Sequence, residues 1–177
     1  EGKVRHVGIS YHDTADVLEQ ILQAYPEIEV VQLQFNYLDY EDPAVQGRKC
    51  YEVCMAHNKP VIVMEPVKGG NLVNLPDKAR AVLDALGGAP VSYAMRFAAG
   101  FPGVIMVLSG VSTLEQMEEN ISYMRDFKPL DEREMAAVQQ VQQIFASMNL
   151  ISCTACRYCI AGCPQQINIP DLFAVMN

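Results

Sequence analysis

The sequence predicts an α/β fold: four βα units that make half of a (β/α)8 barrel, followed by an α-helical, cysteine-rich tail. Three observations predict it. Short apolar runs alternate with helical patterns through most of the first 130 of the 177 residues, the signature of parallel βα units. Along the strand-like runs, apolar and polar side chains alternate, as a barrel wall requires with helices outside and a more polar interior. A doubly wound sheet, covered on both sides, would want apolar residues on both faces. From Asp131 the alternation gives way to one long helical pattern and a cysteine run.

Each unit has its own justification. The first strand, 4–10 ("VRHVGIS"), sets Val7 and Ile9 against His6, Gly8 and Ser10. The helix at 14–25 ("TADVLEQILQAY") is amphipathic, with Asp13 or Thr14 as its cap. In the strand 30–35 ("VVQLQF"), Val31, Leu33 and Phe35 point one way, and Gln32 and Gln34 the other. After Pro43 a helix runs through "AVQGRKCYEVCMAHN". It places Cys50 and Cys54 on one face, where buried, reduced thiols acting as small hydrophobes are expected. The third strand, 60–65 ("PVIVME"), leads into the glycine-bearing loop "PVKGGNLVNLP" and helices near 77–86 and 91–99. The fourth strand is 103–109 ("GVIMVLS"). The next helix opens on "STLE", where Ser112 and Glu115 have capping-box spacing.

The half-barrel unit is read as 1–129 and the tail as 130–177. The tail begins with "DEREMAAVQQVQQIFASM", a helix with Asp131 and Glu134 spaced as an acidic cap. Its stripe of Met135, Val138, Val141, Ile144 and Phe145 is expected to pack on the barrel exterior. The segment "NIPDLFAVM" reads as a short closing helix.

Half of a barrel leaves its first and fourth strands with open backbone edges, which invite aggregation unless covered. Either a missing N-terminal half completes the wall or a second copy does. The chain opens on Glu1 and enters a strand almost at once, which reads as a segment of something longer. The formal net charge of −8 argues against nucleic acid or an anionic membrane surface as partner, since both would repel it. No apolar run has the length of a membrane span, and no basic-then-apolar leader stands at the front. Four of six cysteines crowd into one loop instead of stapling distant segments, so a reducing compartment, the cytoplasm, is expected.

That loop carries the strongest chemical signal. Cys153, Cys156, Cys159 and Cys163, with Pro164, have the spacing C-x2-C-x2-C-x3-C-P. Two-residue gaps aim successive thiolates at one compact cluster, and small neighbours let backbone amides approach the sulfides. Structural zinc sites usually use two separated pairs, so an iron–sulfur cluster is the expected occupant. The run resembles that of bacterial-type ferredoxins, whose fourth cysteine serves a different cluster from the first three. By that resemblance Cys153, Cys156 and Cys159 ligate one [4Fe–4S] cluster and Cys163 reaches toward a second, though it can also close a single one. Cys50 and Cys54 lack the spacing for the missing ligands, so the tail reads as truncated.

Four stretches, "GKVRHVGISYHD", "VVQLQFNYLD", "VIVMEPVKGG" and "VIMVLSGVSTLEQMEENI", together resemble the C-terminal half of aldo/keto reductases, in particular the bacterial branch with a ferredoxin-like tail. The resemblance implies a (β/α)8 barrel that interconverts carbonyls and alcohols with NAD(P)H. It implies that Ser10 and Gln32 hydrogen-bond the nicotinamide carboxamide, and that Met64 stands where the family usually stacks an aromatic ring. It also implies that Glu119 and Asn120 contact the adenine end, while Gly110 and Ser112 offer backbone amides to a phosphate. The family commonly places Lys or Arg here for the ribose 2′-phosphate. Gly110 and Gln116 are uncharged, which favours NADH.

The family's catalytic tyrosine, lysine, aspartate and histidine belong to the other half of the barrel, so no catalytic residue is assigned in this chain. His6, His12 and His57 are not substitutes, and Glu65 is read as lining the cofactor loop. Two functions are expected in order. The first is part of an aldo/keto reductase fused to an iron–sulfur segment that exchanges electrons with a partner. The alternative is a non-catalytic nucleotide-binding and partner-binding module with a structural metal site.

Overall fold

The computed structural model describes residues 2–148, 150, 151, 153 and 156–176. Its centre is a four-stranded, all-parallel sheet in the order β1 (Gly8–Tyr11), β2 (Val30–Gln34), β3 (Val61–Met64) and β4 (Val104–Val107). Each crossover moves one strand further in the same direction. A doubly wound sheet reverses direction at a switch point, and these four strands run without a reversal, as the strands of a barrel wall do. Along the chain the strands alternate with α1 (Ala15–Ala24), α2 (Gly47–Ala56), the pair α3 (Asp77–Asp84) and α4 (Pro90–Ala99), and α5 (Leu114–Met124). The tail contributes α6 (Glu132–Ser147), α7 (Tyr158–Gly162) and α8 (Ile169–Met176).

Register follows the alternation read from the sequence. Ser10 pairs with Gln32 and Gln34 with Met64, so polar side chains share one face. Val31, Leu33, Val61 and Val63 go to the other and are essentially inaccessible. Gly8 is needed where β1 meets β2, because an added Cβ would stand 2.7 Å from the Val30 carbonyl oxygen. A bulge at the β3–β4 pair leaves Ile105 outside the register and 62% exposed. Val7, expected on the helix-facing side, precedes the first paired residue and is exposed. The interior-facing positions Met106 and Leu108 are also exposed, as half of a barrel wall leaves them.

The helices cover the apolar face. Phe35 at the end of β2 anchors an aromatic cluster with Tyr40, Tyr51, Phe97 and Phe101, at centroid distances of 4.9 to 6.1 Å. Cys50 and Cys54 are buried in the α2 face, and burial pushes their thiols up to about 11 and about 12. They are the small hydrophobes the spacing predicted. No residue of α2 precedes Gly47, although its pattern begins after Pro43. Asp42 Oδ1 instead accepts from the amides of Ala44 and Val45, and Gln46 takes a left-handed φ of 54°.

α6 docks on the half-barrel rather than standing apart. Ala137, Val138 and Val141 join the common core, with Met135, Ile144 and Phe145 packed against it. The predicted cap is present: Asp131 Oδ1 accepts from the Glu134 amide at 2.8 Å, and Glu134 returns the bond at 3.0 Å. Glu134 also accepts twice from Arg96 on α4, at 2.6 and 2.7 Å, so one carboxylate caps its helix and clamps it down. The helix predicted at the end of the chain is α8, and α7 inside the cysteine run was not anticipated.

Candidate functional site

Three of the residues expected around a nicotinamide converge. Ser10 from β1, Gln32 from β2 and Met64 from β3 lie on the open face of the sheet. Gln32 Nε2 donates to Ser10 Oγ at 3.3 Å and lies 3.4 Å from Met64 Sδ, with Ser10 Oγ 3.8 Å from the same sulfur. A carboxamide needs donors and acceptors on one edge and a soft surface against its ring. An amide, a hydroxyl and a thioether in contact supply those three things. His12 Nε2 is 3.3 Å from Ser10 Oγ and so fixes the hydroxyl from the rim.

Beneath this patch is a network that sequence reading missed. Asp39, 1% exposed, takes Gln34 Nε2 at 2.8 Å and Asn36 Nδ2 at 2.7 Å on one oxygen, and the Lys68 ammonium on the other. Asn36 also donates to the Glu65 carbonyl at 3.0 Å, tying the loop after β2 to the loop after β3. Lys68 is itself only 6% exposed. Both Glu65 and Lys68 adopt left-handed φ, 54° and 48°, and Gly69 and Gly70 continue the positive-φ turn. Non-glycine residues hold this conformation only where surrounding contacts impose it. Burial and nearby Asp39 push the Glu65 carboxyl above the usual carboxylate range, opposed by Lys68 and His12, and its Oε2 is buried without a hydrogen-bond partner. The segments "FNYLD" and "EPVKGG" held the signal, as charged residues inside otherwise apolar loops.

The fourth strand's end departs from expectation. The amide of Ser112, expected to face a phosphate, donates to Gln116 Oε1 at 2.7 Å, and the Thr113 amide donates to the same oxygen at 3.3 Å. Thr113 Oγ1 in turn accepts from the Gln116 amide, so the capping box is Thr113–Gln116 and not Ser112–Glu115. The expected phosphate-facing amide of Ser112 is therefore occupied by the chain's own side chain. Asn120 is buried and donates to Ser109 Oγ at 2.7 Å, with Tyr123 donating to its carbonyl oxygen, so it ties α5 to the loop after β4. Glu119 is exposed on α5, and Gly110 is exposed with open space where a Cβ would stand. His6 pairs with Glu29 at 2.7 Å and His57 with Glu19 at 2.9 Å, both away from the patch.

The four tail cysteines are thiols outside any disulfide, with Cys156 and Cys159 exposed. Cys153 is tethered through its carbonyl, which accepts from Asn71 Nδ2 at 3.4 Å. Backbone amides of Ile167, Gln165 and Gln166 lower the Cys163 thiol below its ordinary value. An iron–sulfur cluster was expected on these thiols, but among the described residues no group of three or more Cys, His, Asp or Glu gathers around a common centre. Thr154 and Ala155, which set the first gap, lie outside the described residues. Among the described residues no helix is long and apolar enough to cross a membrane.

Comparison with known proteins gives a consistent family. The model of the aldo/keto reductase family matches residues 1–143. Aldo-keto reductase AKR11C1 from Bacillus halodurans, in its holo form, superposes with a TM-score of 0.62 at 20% identity, over 79% of this chain and 51% of its own. An aldo-keto reductase from Klebsiella pneumoniae, solved in complex with NADPH, gives 0.60 at 19% identity, over 80% of this chain and 49% of its own. Aldose reductase from Giardia lamblia gives 0.62 at 19% identity, over 81% and 46%. The chain thus spans about half the length of these structures. No curated protein sequence matches it.

Proposed function

The chain belongs to the aldo/keto reductase family, and on that premise we propose that it is the coenzyme-binding half of an oxidoreductase interconverting carbonyls and alcohols with NAD(P)H. The observation that carries this reading is the convergence of Ser10, Gln32 and Met64 from three adjacent strands. In it, Gln32 and Ser10 exchange hydrogen bonds with the carboxamide, which fixes which ring face points into the barrel. Met64 packs on that ring, and His12 orients the Ser10 hydroxyl. The bound coenzyme supplies the hydride. The proton donor belongs to the missing half of the wall, because the residues this chain brings to the mouth bind and orient.

Two features support a partner that completes the barrel. Edge strands β1 and β4 have an open side among the described residues, and the interior face keeps Met106 and Leu108 exposed. A separate N-terminal half, or a second copy of the chain, would cover both. For the coenzyme we propose NADH over NADPH, since Gly110 and Gln116 bring no charge to a 2′-phosphate. Glu119 and Asn120 are assigned to the adenine side, and Ser112 to a phosphate once Gln116 has released its amide.

The cysteine spacing supports a [4Fe–4S] cluster on Cys153, Cys156 and Cys159, with Cys163 closing it or reaching a second one. Such a cluster would exchange single electrons with a partner protein. The ungathered thiols and the self-capped phosphate site favour a second reading: a nucleotide-binding module whose tail recruits a partner. Carbonyl-dependent oxidation of NADH by the protein carrying both barrel halves tests the first reading. Coenzyme binding without turnover is the result expected of the second.

A further inference from the structure

We propose that the cavity between the half-barrel loops and the cysteine tail binds an uncharged aromatic ring with carbonyl groups along one edge, the chemistry shared by isoalloxazines and naphthoquinones. The cavity measures about 750 Å³, and Ser10, Gln32 and Met64 do not line it. That volume lies in the range of small-molecule sites, and so does its position between two structural units. Its walls are contributed by the loops after β2 and β3, by α6 and by the tail.

The lining names the ligand chemistry. Leu38, Phe145, Ile151 and Ala174 offer apolar surface for ring faces. Lys68, Asn74 and Gln143, whose side chains carry N–H groups, line the same space, and the Lys68 ammonium has three donors of which Asp39 takes one. Donors of this kind match carbonyl oxygens. Charge argues against a phosphate or carboxylate: the cation is neutralised by Asp39, while Asp42 also lines the cavity and would repel an anion.

The site is also placed between two features of the proposed function. One wall is Asp39, bonded to Gln34 on the strand that carries Gln32, and another is Cys153, held by Asn71. Ring binding does not depend on that function, and its failure would be separable from the failure of coenzyme or cluster binding, each having its own assay.

Titration of the purified chain with riboflavin, flavin mononucleotide and menadione, read by flavin and tyrosine fluorescence, tests the proposal. Saturable one-to-one binding of riboflavin or menadione is expected, and which one binds identifies the source of the ring. Ala146→Trp fills the cavity from an exposed position on α6. It should weaken ring binding by about tenfold or more while leaving the far-ultraviolet circular dichroism and NADH binding unchanged. Three results would overturn the assignment: no saturable binding of either ring, equal binding by the Ala146→Trp variant, or flavin mononucleotide binding about tenfold tighter than riboflavin.

Discussion

Gln32 on β2 donates its side-chain amide to the hydroxyl of Ser10 on β1, 3.3 Å away across the sheet, with the Met64 sulfur beside both. The pair is held by register: Ser10 and Gln32 are direct Cα partners, so the contact requires no loop to close. A carboxamide bound here meets two polar groups already in place, which lowers the ordering cost of binding. Gln32→Leu keeps the volume and removes the hydrogen bonds. It should weaken NADH binding by about 1–3 kcal/mol, the cost of leaving the carboxamide unpaired, with thermal stability nearly unchanged because Gln32 faces the open side. Nucleotide fluorescence titration of the two proteins checks this.

The buried Lys68–Asp39 pair should behave differently. Lys68→Met strands a carboxylate that is 1% exposed, and should destabilise the fold by about 3–5 kcal/mol in urea unfolding. A double variant, Lys68→Met with Asp39→Leu, should recover only part of that loss. Gln34 and Asn36 would both lose their shared acceptor on Asp39. Full recovery would show that the two amides contribute nothing through Asp39.

Stability should depend on pH with opposite signs at two carboxyls. Glu65 titrates above the ordinary carboxylate value in the folded chain, because of burial and Asp39. Between its unfolded and folded values the unfolded chain has released more protons, so stability falls as pH rises through that window. Glu134 is held below its ordinary value, chiefly by the hydrogen bonds from Arg96. Its contribution is present above the unfolded value and lost as pH falls through the folded one. Glu65→Gln should therefore raise stability at neutral pH and not in acid, while Glu134→Gln should lower it at neutral pH. Urea midpoints for both variants, measured at acid and neutral pH, check the two signs.

The residues that made the sheet legible are the alternating ones: Val31, Leu33 and Phe35 against Gln32 and Gln34 encode a face by period alone. The same holds for Asp131 and Glu134, whose cap needs only local spacing. Local rules fail by one residue where two candidates adjoin. Ser112 and Thr113 can each cap α5, with Glu115 and Gln116 as their respective partners, and it is the Thr113–Gln116 pair that forms. They fail altogether where a partner is remote. Lys68 and Asp39 stand 29 residues apart, and each alone reads as an ordinary surface charge until the two loops are brought together. The cavity beside them belongs to tertiary packing for the same reason.

For the tail, anaerobic addition of iron and sulfide should turn the protein brown if the thiols close on a cluster, with visible absorbance bleached by dithionite. Cys153→Ser, Cys156→Ser and Cys159→Ser should each abolish it, and Cys163→Ser should too if one cluster uses all four. Cys54→Ser should leave the colour intact and cost about 1–3 kcal/mol of stability, because a hydroxyl would enter an apolar site that is fully buried.

The proposed preference for NADH can be tested at Gly110. Nothing stands within 4 Å of where its Cβ would be, so a long side chain can be added there without displacing the chain. The nearest capping group, Gln116, is uncharged and spends its carbonyl oxygen on the Ser112 and Thr113 amides, so neither position attracts a 2′-phosphate. Gly110→Lys supplies the missing cation at an exposed site, where solvent screening limits its effect. The variant should shift the ratio of NADPH to NADH affinity upward by about tenfold, the worth of one charge-assisted contact to phosphate. The shift should shrink as salt is raised, whereas a change caused by altered loop structure would persist. Gln116→Lys is expected to do less, because it removes the cap that orders α5 while it adds the charge. Competitive titration of both coenzymes against the two variants, at low and high ionic strength, separates a charge effect from a structural one.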